Sequence, residues 1–392
     1  MIRQKIVFLI LASFSALSSA SGQNALYNSG NLRIHPNGAL GFHANLINDV
    51  PFENNQGLAG FYGNIQLRVE GSIPPTFNDM ELLVTNNILL ENSVNVLNNT
   101  NFIAGDVQTP LNDQTVFLNF RETGFFTGEN DTSKVTGFAA MTNRDLFSFP
   151  VGDEAQLRPL LLDSQGNTDL AICAYFFEDP SNPTSISETF NTLDKVRRIG
   201  TVSDREFWIV QSDVESTVTI SWNPRSNLAS IPNLEADGII VVGWSKQARQ
   251  WIVIGNTALS GDINQGFVTS EPFVPSEFAA ITFGTIPLPT DTFAVNNPTL
   301  GNYFLTPNGD NINDALVIEE LAASPNNSMR IFNRFGQKVF EQINYTNEFV
   351  GVSNTGNFVL SQDIGLPEGF YYYLVTLDDL ELEYQGFLYL DR

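Results

Sequence analysis

Short alternations of apolar and polar residues recur along most of the chain. Ile65-Gln66-Leu67-Arg68-Val69 alternates strictly, as does Val94-Asn95-Val96. Leu82-Leu83-Val84 and Ile88-Leu89-Leu90 are short apolar runs split by the turn pair Asn86-Asn87, and Thr115–Phe120 is a further run of strand type. A period of two sends successive side chains to opposite faces, the signature of a strand. Long amphipathic helical stretches are missing, so the expected fold is all-β and multidomain. Residues 23–195 form an Asn/Gly-rich β region. Short strands separated by Asn turns fit either a sandwich or a parallel β-solenoid, and no fixed repeat length selects between them.

The pattern changes further along. Pro150, Gly152 and Pro159 punctuate residues 148–160, the apolar run Ala171–Phe177 ends at Asp179-Pro180, and residues 178–195 read as a polar loop. All four tryptophans fall between 208 and 251. This clustering marks a module at 196–286, expected to be an immunoglobulin-like β-sandwich by strand count and spacing, though without a cysteine pair. Val218–Trp222 alternates with Trp222 on the apolar side, and Ile239–Trp244 and Trp251–Ile254 flank a hairpin-like turn. The indoles either fill the core or form an exposed platform for stacking on sugars. Three prolines in 287–300 give an extended linker.

At the N-terminus, Arg3 and Lys5 precede an apolar stretch, Ile6–Leu17, that is too short to span a bilayer, followed by Ser18-Ser19-Ala20-Ser21-Gly22. This is the pattern of a secretory signal peptide over 1–22, leaving Gln23 first. The formal net charge of −24 becomes −26 when Arg3 and Lys5 are removed with it. Such a surface repels phosphate and anionic headgroups, which argues against nucleic acid as a partner. No later segment is apolar enough to cross a membrane as a helix.

Candidate chemistry is sparse. The single cysteine, Cys173, lies in an apolar run and reads as a buried thiol. The two histidines, His35 and His43, lack neighbours with zinc-ligand spacing, and neither a nucleophile elbow nor a phosphate loop is present. Glu129-Asn130-Asp131 and Asp378-Asp379 read as solvated loop charges. The expectation is that the protein is not an enzyme, a carboxylate-dependent hydrolase being the distant alternative.

Residues 301–392 carry the most specific pattern. It opens with Thr306-Pro307-Asn308-Gly309-Asp310-Asn311-Ile312-Asn313-Asp314. The strand Met329–Phe332 then runs into Asn333-Arg334-Phe335-Gly336, and Leu366-Pro367-Glu368-Gly369 leads into Phe370-Tyr371-Tyr372-Tyr373. Read physically, this is a small β-sandwich of hairpins. Gly336 supplies a positive φ, Tyr371 and Tyr373 share one face, and the final strand is paired inside the sheet. Asn308, Asp310, Asn313 and Asp314 concentrate the oxygen ligands calcium prefers, though Asn and Asp also make Asx-turns without an ion. No other cofactor is expected.

These motifs resemble the gliding-motility-associated C-terminal domain, the type B sorting domain of the type IX secretion system. Its pattern has a Thr-Pro-Asn-Gly-Asp opening, an Asn-Arg-Trp-Gly hairpin and a Leu-Pro-x-Gly strand rich in tyrosine. Here Phe335 replaces the tryptophan, Phe370 replaces a threonine, and Phe349-Val350-Gly351 stands near the family's Trp-Asp-Gly. Phe149–Asp153 and Ser203–Trp208 are more weakly similar to modules of large exported proteins of that system. The resemblance implies export through the periplasm to the cell surface or the medium. It also implies two partners, the type IX machinery and a small outer-membrane β-barrel. The expected function is that of an exported structural or adhesin-like protein. The alternative is a carbohydrate-binding surface protein whose aromatic platforms meet an extracellular glycan.

Overall fold

The computed structural model describes residues 24–231, 234, 236–286, 303–310, 312–318, 321, 324, 326–355, 365–377 and 382–392. The expected signal peptide, the start at Gln23, the 287–300 linker and Asp378-Asp379 lie outside the described residues. Among the described residues the regular structure is β-strand, with four single-turn 3-10 helices and no α-helix. No helix among them is long and apolar enough to cross a membrane. The chain divides into two compact units. The first runs to Phe283, and the second holds Gly284–Arg392 together with the short segments Lys195–Val202 and Ile231–Leu234.

The first unit begins as a parallel solenoid. From Leu67 onward the chain visits three sheets in turn: Leu67–Glu70, Thr76–Phe77, Asp79–Val84, then Ile88–Leu90, Val94–Val96, Asn99–Ala104, and so on. Each strand pairs in parallel with its counterpart one coil away. The corners use residues that tolerate a left-handed backbone: Asn87 has φ 70° and Gly105 φ 82°. A Cβ on Gly105 would lie 1.8 Å from the Val84 carbonyl oxygen of the coil below, so only glycine fits there. Of the two architectures left open by the sequence, the solenoid is the one observed.

Its repeat is irregular. Ala39 pairs with Leu58 and Leu58 with Asp79, while Val107 pairs with Val135 and Val135 with Val151. Coils of such unequal length leave no period in the sequence, because the strands keep register and the loops absorb the difference. Inside, apolar residues stack from coil to coil, as Phe42 on Phe61 with ring centroids 4.8 Å apart. Buried asparagines do the same: Asn28 donates to Asn48, and Asn119 donates to Asn95 while accepting from Thr142. Each buried amide thereby finds the partner that burial demands.

The nine-stranded sheet then changes from parallel to antiparallel. Ala139–Thr142 pairs with Ala171–Phe176, which pairs with Phe207–Gln211, and the same sheet continues through Phe278–Thr285, Ile239–Ser245 and Gln250–Gly255. A separate five-stranded sheet holds Arg144–Phe149, Leu160–Thr168, Ser216–Trp222, Gly266–Thr269 and Ala258–Gly261. The strands expected to make an independent module at 196–286 therefore share both sheets with strands from before residue 196. Strand-forming sequence runs through that boundary without a compositional break.

Trp208, Trp222 and Trp251 are buried, with Trp222 meeting Phe283 edge-on. Their indole N–H groups donate to the carbonyls of Arg158, Asp262 and Phe190. These three rings fill core, the first of the two readings left open for the tryptophan cluster, and do not form the alternative sugar platform. Beside Trp208 the buried Arg158 guanidinium holds Glu206 at 2.7 Å, and Tyr175 donates to the same carboxylate oxygen. Burial, then the Glu206 charge, pushes the Tyr175 phenol well up. Cys173 is buried, and burial alone raises its thiol, as befits a packing residue.

Within the second unit the described strands form one five-stranded sheet in the order Tyr303–Leu305, Leu382–Leu390, Gly369–Leu377, Asn327–Asn333, Lys338–Ile343. A small sandwich of hairpins was the expectation. Instead, one face of this sheet is covered by loop residues, including Leu316, Ile318, Tyr345, Phe349 and Leu366, and the first strand pairs in parallel with the last.

Candidate functional site

The motif residues of the C-terminal domain are turn-formers and core-fillers brought together around this sheet. The opening loop is closed by its own asparagines and aspartates. One Asp314 carboxylate oxygen accepts from the backbone N–H groups of Asn308 and Gly309 at 2.9 and 2.8 Å. Asn308 accepts from the Asp310 amide, and Asp310 accepts from the Ile312 amide and from the Asn308 side-chain amide. The Thr306 N–H donates to the Asn313 carbonyl, whose residue sits at φ 55°. Asn313 thus shapes the backbone, and Gly309 at φ 83° completes the turn. Of the oxygens singled out for calcium, that of Asn308, both of Asp310 and one of Asp314 are engaged with amide hydrogens. Among the described residues no group of three or more His, Cys, Asp or Glu is placed to hold a metal ion. Pro307 lies against the backbone of Gly351, where a Cβ would meet its ring.

The second motif is a hairpin built on Asn333. Its side-chain oxygen accepts from the backbone N–H of Phe335 and of Gln337, while the Gly336 N–H donates to its carbonyl. Gly336 has φ 75° with open space around it, so glycine is needed for backbone freedom and not for clearance. Arg334 lies over the exposed Phe335 ring at 4.8 Å.

In the third motif, Gly369 at φ 141° starts a strand that alternates cleanly. Tyr371 and Tyr373 are buried, while Phe370 and Tyr372 are more than half exposed. Tyr371 donates to the Pro367 carbonyl at 2.7 Å, tying the strand to the Leu366-Pro367 turn, and Leu366 is buried in the core. Burial raises the phenols of Tyr371 and Tyr373. Phe349 is fully buried with its ring against Phe340 at 4.9 Å, and its backbone N–H donates to the Tyr345 hydroxyl. Arg392 donates to the carbonyl of Gly351, the glycine that follows Phe349-Val350. The last strand lies between two neighbours, and the Asp391 N–H donates to the Leu305 carbonyl. The chain end is therefore part of the sheet.

Sequence reasoning missed two features. Asn327, outside every motif, is buried and accepts from the Tyr345 amide while donating to the Ser324 carbonyl, pinning two loops. The second is the open face of the sheet, where Phe304, Phe370, Tyr372 and Phe387 are exposed and Phe304 stacks on Tyr389 at 5.8 Å. Aromatics at consecutive positions 370–373 carried that signal, since alternation must send half of them outward.

Residues 299–390 match the family model described as the CHU_C type IX secretion signal domain. No curated protein matches the chain, and no solved structure does. The matched segment covers the whole sheet of the second unit and all three motifs. The chain carries a type IX sorting signal, which implies passage through that secretion machinery to the cell surface or the extracellular space.

Proposed function

We propose that this is an exported structural protein of adhesin-like type, in which the first unit is cargo and residues 301–392 are its sorting unit. The observation that carries the reading is the coincidence of the type IX match at 299–390 with a sheet that has its own core. A domain with its own core can fold on unrelated cargo. The first unit opens with a stack of coils that has a long ladder surface, suited to display and contact, and we read the protein as a binder without enzymatic activity. The small outer-membrane β-barrel partner belongs to the same proposal, with the exposed face around Phe370 and Tyr372 as the apolar surface open to it.

The test fuses a signal peptide, an inert reporter and residues 288–392 in a host with a working type IX system and the cognate outer-membrane partner. The reporter is expected outside the cell. Deleting Gly386–Arg392 removes the buried Leu388 and Leu390 and opens two strand pairings, and should hold the reporter in the periplasm. Export of the full-length protein after removal of 301–392 would overturn the reading.

A further inference from the structure

One face of the solenoid carries a straight row of unlike side chains in strand register. Gly41 pairs with Gly60, Gly60 with Glu81, Glu81 with Asn101, and Asn101 with Thr127. All five lie on the side of the sheet away from the Phe42, Phe61, Leu82 and Phe102 stack. Neighbouring positions in such a row are about 4.8 Å apart.

The two glycines have a specific consequence. A Cβ on Gly60 would lie 2.1 Å from the Tyr62 hydroxyl, and one on Gly41 would lie 3.3 Å from Cδ2 and Cε2 of the same ring. Tyr62 therefore folds back along its own strand over both glycines and stays partly exposed, with the His43 ring beside it at 5.6 Å and tilted by 36°. Any larger residue at Gly60 would lift the ring. Its hydroxyl donates to Glu81 at 2.9 Å, and Asn101 donates to the other oxygen of that carboxylate at 3.1 Å. A flat aromatic face, a carboxylate, an amide and the exposed Thr127 hydroxyl thus follow one another in a line across the coils.

A line of this kind, with one polar or aromatic group after another across successive coils, fits a linear ligand that runs along the ladder. An extended peptide reads a sheet through its edge, and this row lies on a face. A pyranose ring presents apolar C–H groups to an aromatic face and hydroxyls to its sides. The carboxylate and amide have lone pairs and donors left for such hydroxyls. The charge narrows the class further. With a net charge of −24 and Asp79 beside Glu81 on the same sheet, acidic polymers are repelled.

We propose that this row binds a neutral, linear hexopyranose polymer, with one sugar ring seated on Tyr62. The proposal rests on reading the first unit as the displayed binding body. The test uses purified mature chain in native gels containing hydroxyethylcellulose, mixed-linkage β-glucan, galactomannan or dextran, with polygalacturonate as the acidic comparison. At least one neutral polymer should retard the protein, and polygalacturonate should not. Tyr62→Ala should weaken the retardation roughly tenfold. Glu81→Gln should weaken it by a smaller factor at unchanged melting temperature. Tyr27→Ala, on a different sheet, should leave it as it was. If no neutral polymer retards the chain, or if Tyr62→Ala and Glu81→Gln both run like the parent, the proposal fails. Because the assay needs no export, its outcome is independent of the reporter experiment.

Discussion

The coil stack and the C-terminal sheet both rely on asparagine, and they use it in opposite ways. In the stack, Asn28 reaches Asn48 and Asn119 reaches Asn95, residues 20 and 24 apart in sequence but one coil apart in space. Those bonds exist only when coils have stacked in register. In the C-terminal domain, Asn308 and Asn333 bond backbone groups two to four residues away. Such turns form locally, before any sheet is present. The same side chain therefore fixes long-range register at Asn28 and Asn119 and chain reversal at Asn308 and Asn333. A lost ladder amide leaves a buried partner without its bond, whereas a lost turn amide exposes its partners to water.

This contrast can be broken by measurement. The largest effect expected is from Trp222→Ala. The ring is buried against Phe283, and its removal should cost about 3–5 kcal/mol in denaturant unfolding of the first unit. The transition of the C-terminal domain should not move; an equal shift of both would show that the units do not unfold separately. Next comes Asn119→Ala, which strips a partner from both Asn95 and Thr142 and should cost about 1–3 kcal/mol. Smallest is Asn333→Ala, whose freed Phe335 and Gln337 amides turn to solvent, for a loss of about 1 kcal/mol in the C-terminal transition. Should Asn333→Ala prove more damaging than Asn119→Ala, the distinction between ladder and turn would not hold.

The same contrast explains what could be read from the sequence. The C-terminal motifs were legible because their bonds are local: Asn333, Gly336 and the Leu366–Gly369 turn do in the fold what their spacing announces. The alternation that buries Tyr371 and Tyr373 was equally plain. The solenoid was harder, since its defining pairs are one coil apart and the coils differ in length. Nothing in the one-dimensional pattern marks Val107 and Val135 as neighbours. Three of the four tryptophans fill core, one of the two readings their pattern left open, yet the sheet they pack on begins among the coils, and no change of composition signals that continuity. The seat of Tyr62 was invisible for a related reason. It depends on Gly41, which belongs to a different coil.

The position of Leu382–Leu390 in its sheet has a consequence for the order of events in synthesis. This strand lies between Tyr303–Leu305 and Gly369–Leu377, and both pair with it. It is also the last strand of the sheet to leave the ribosome. A chain that stops short of it can fold its coils, because each needs only the coil before it. Such a chain lacks the strand that joins the opening segment of the sorting sheet to the rest. A truncated product can thus complete its coils and still lack the strand that closes the sorting sheet.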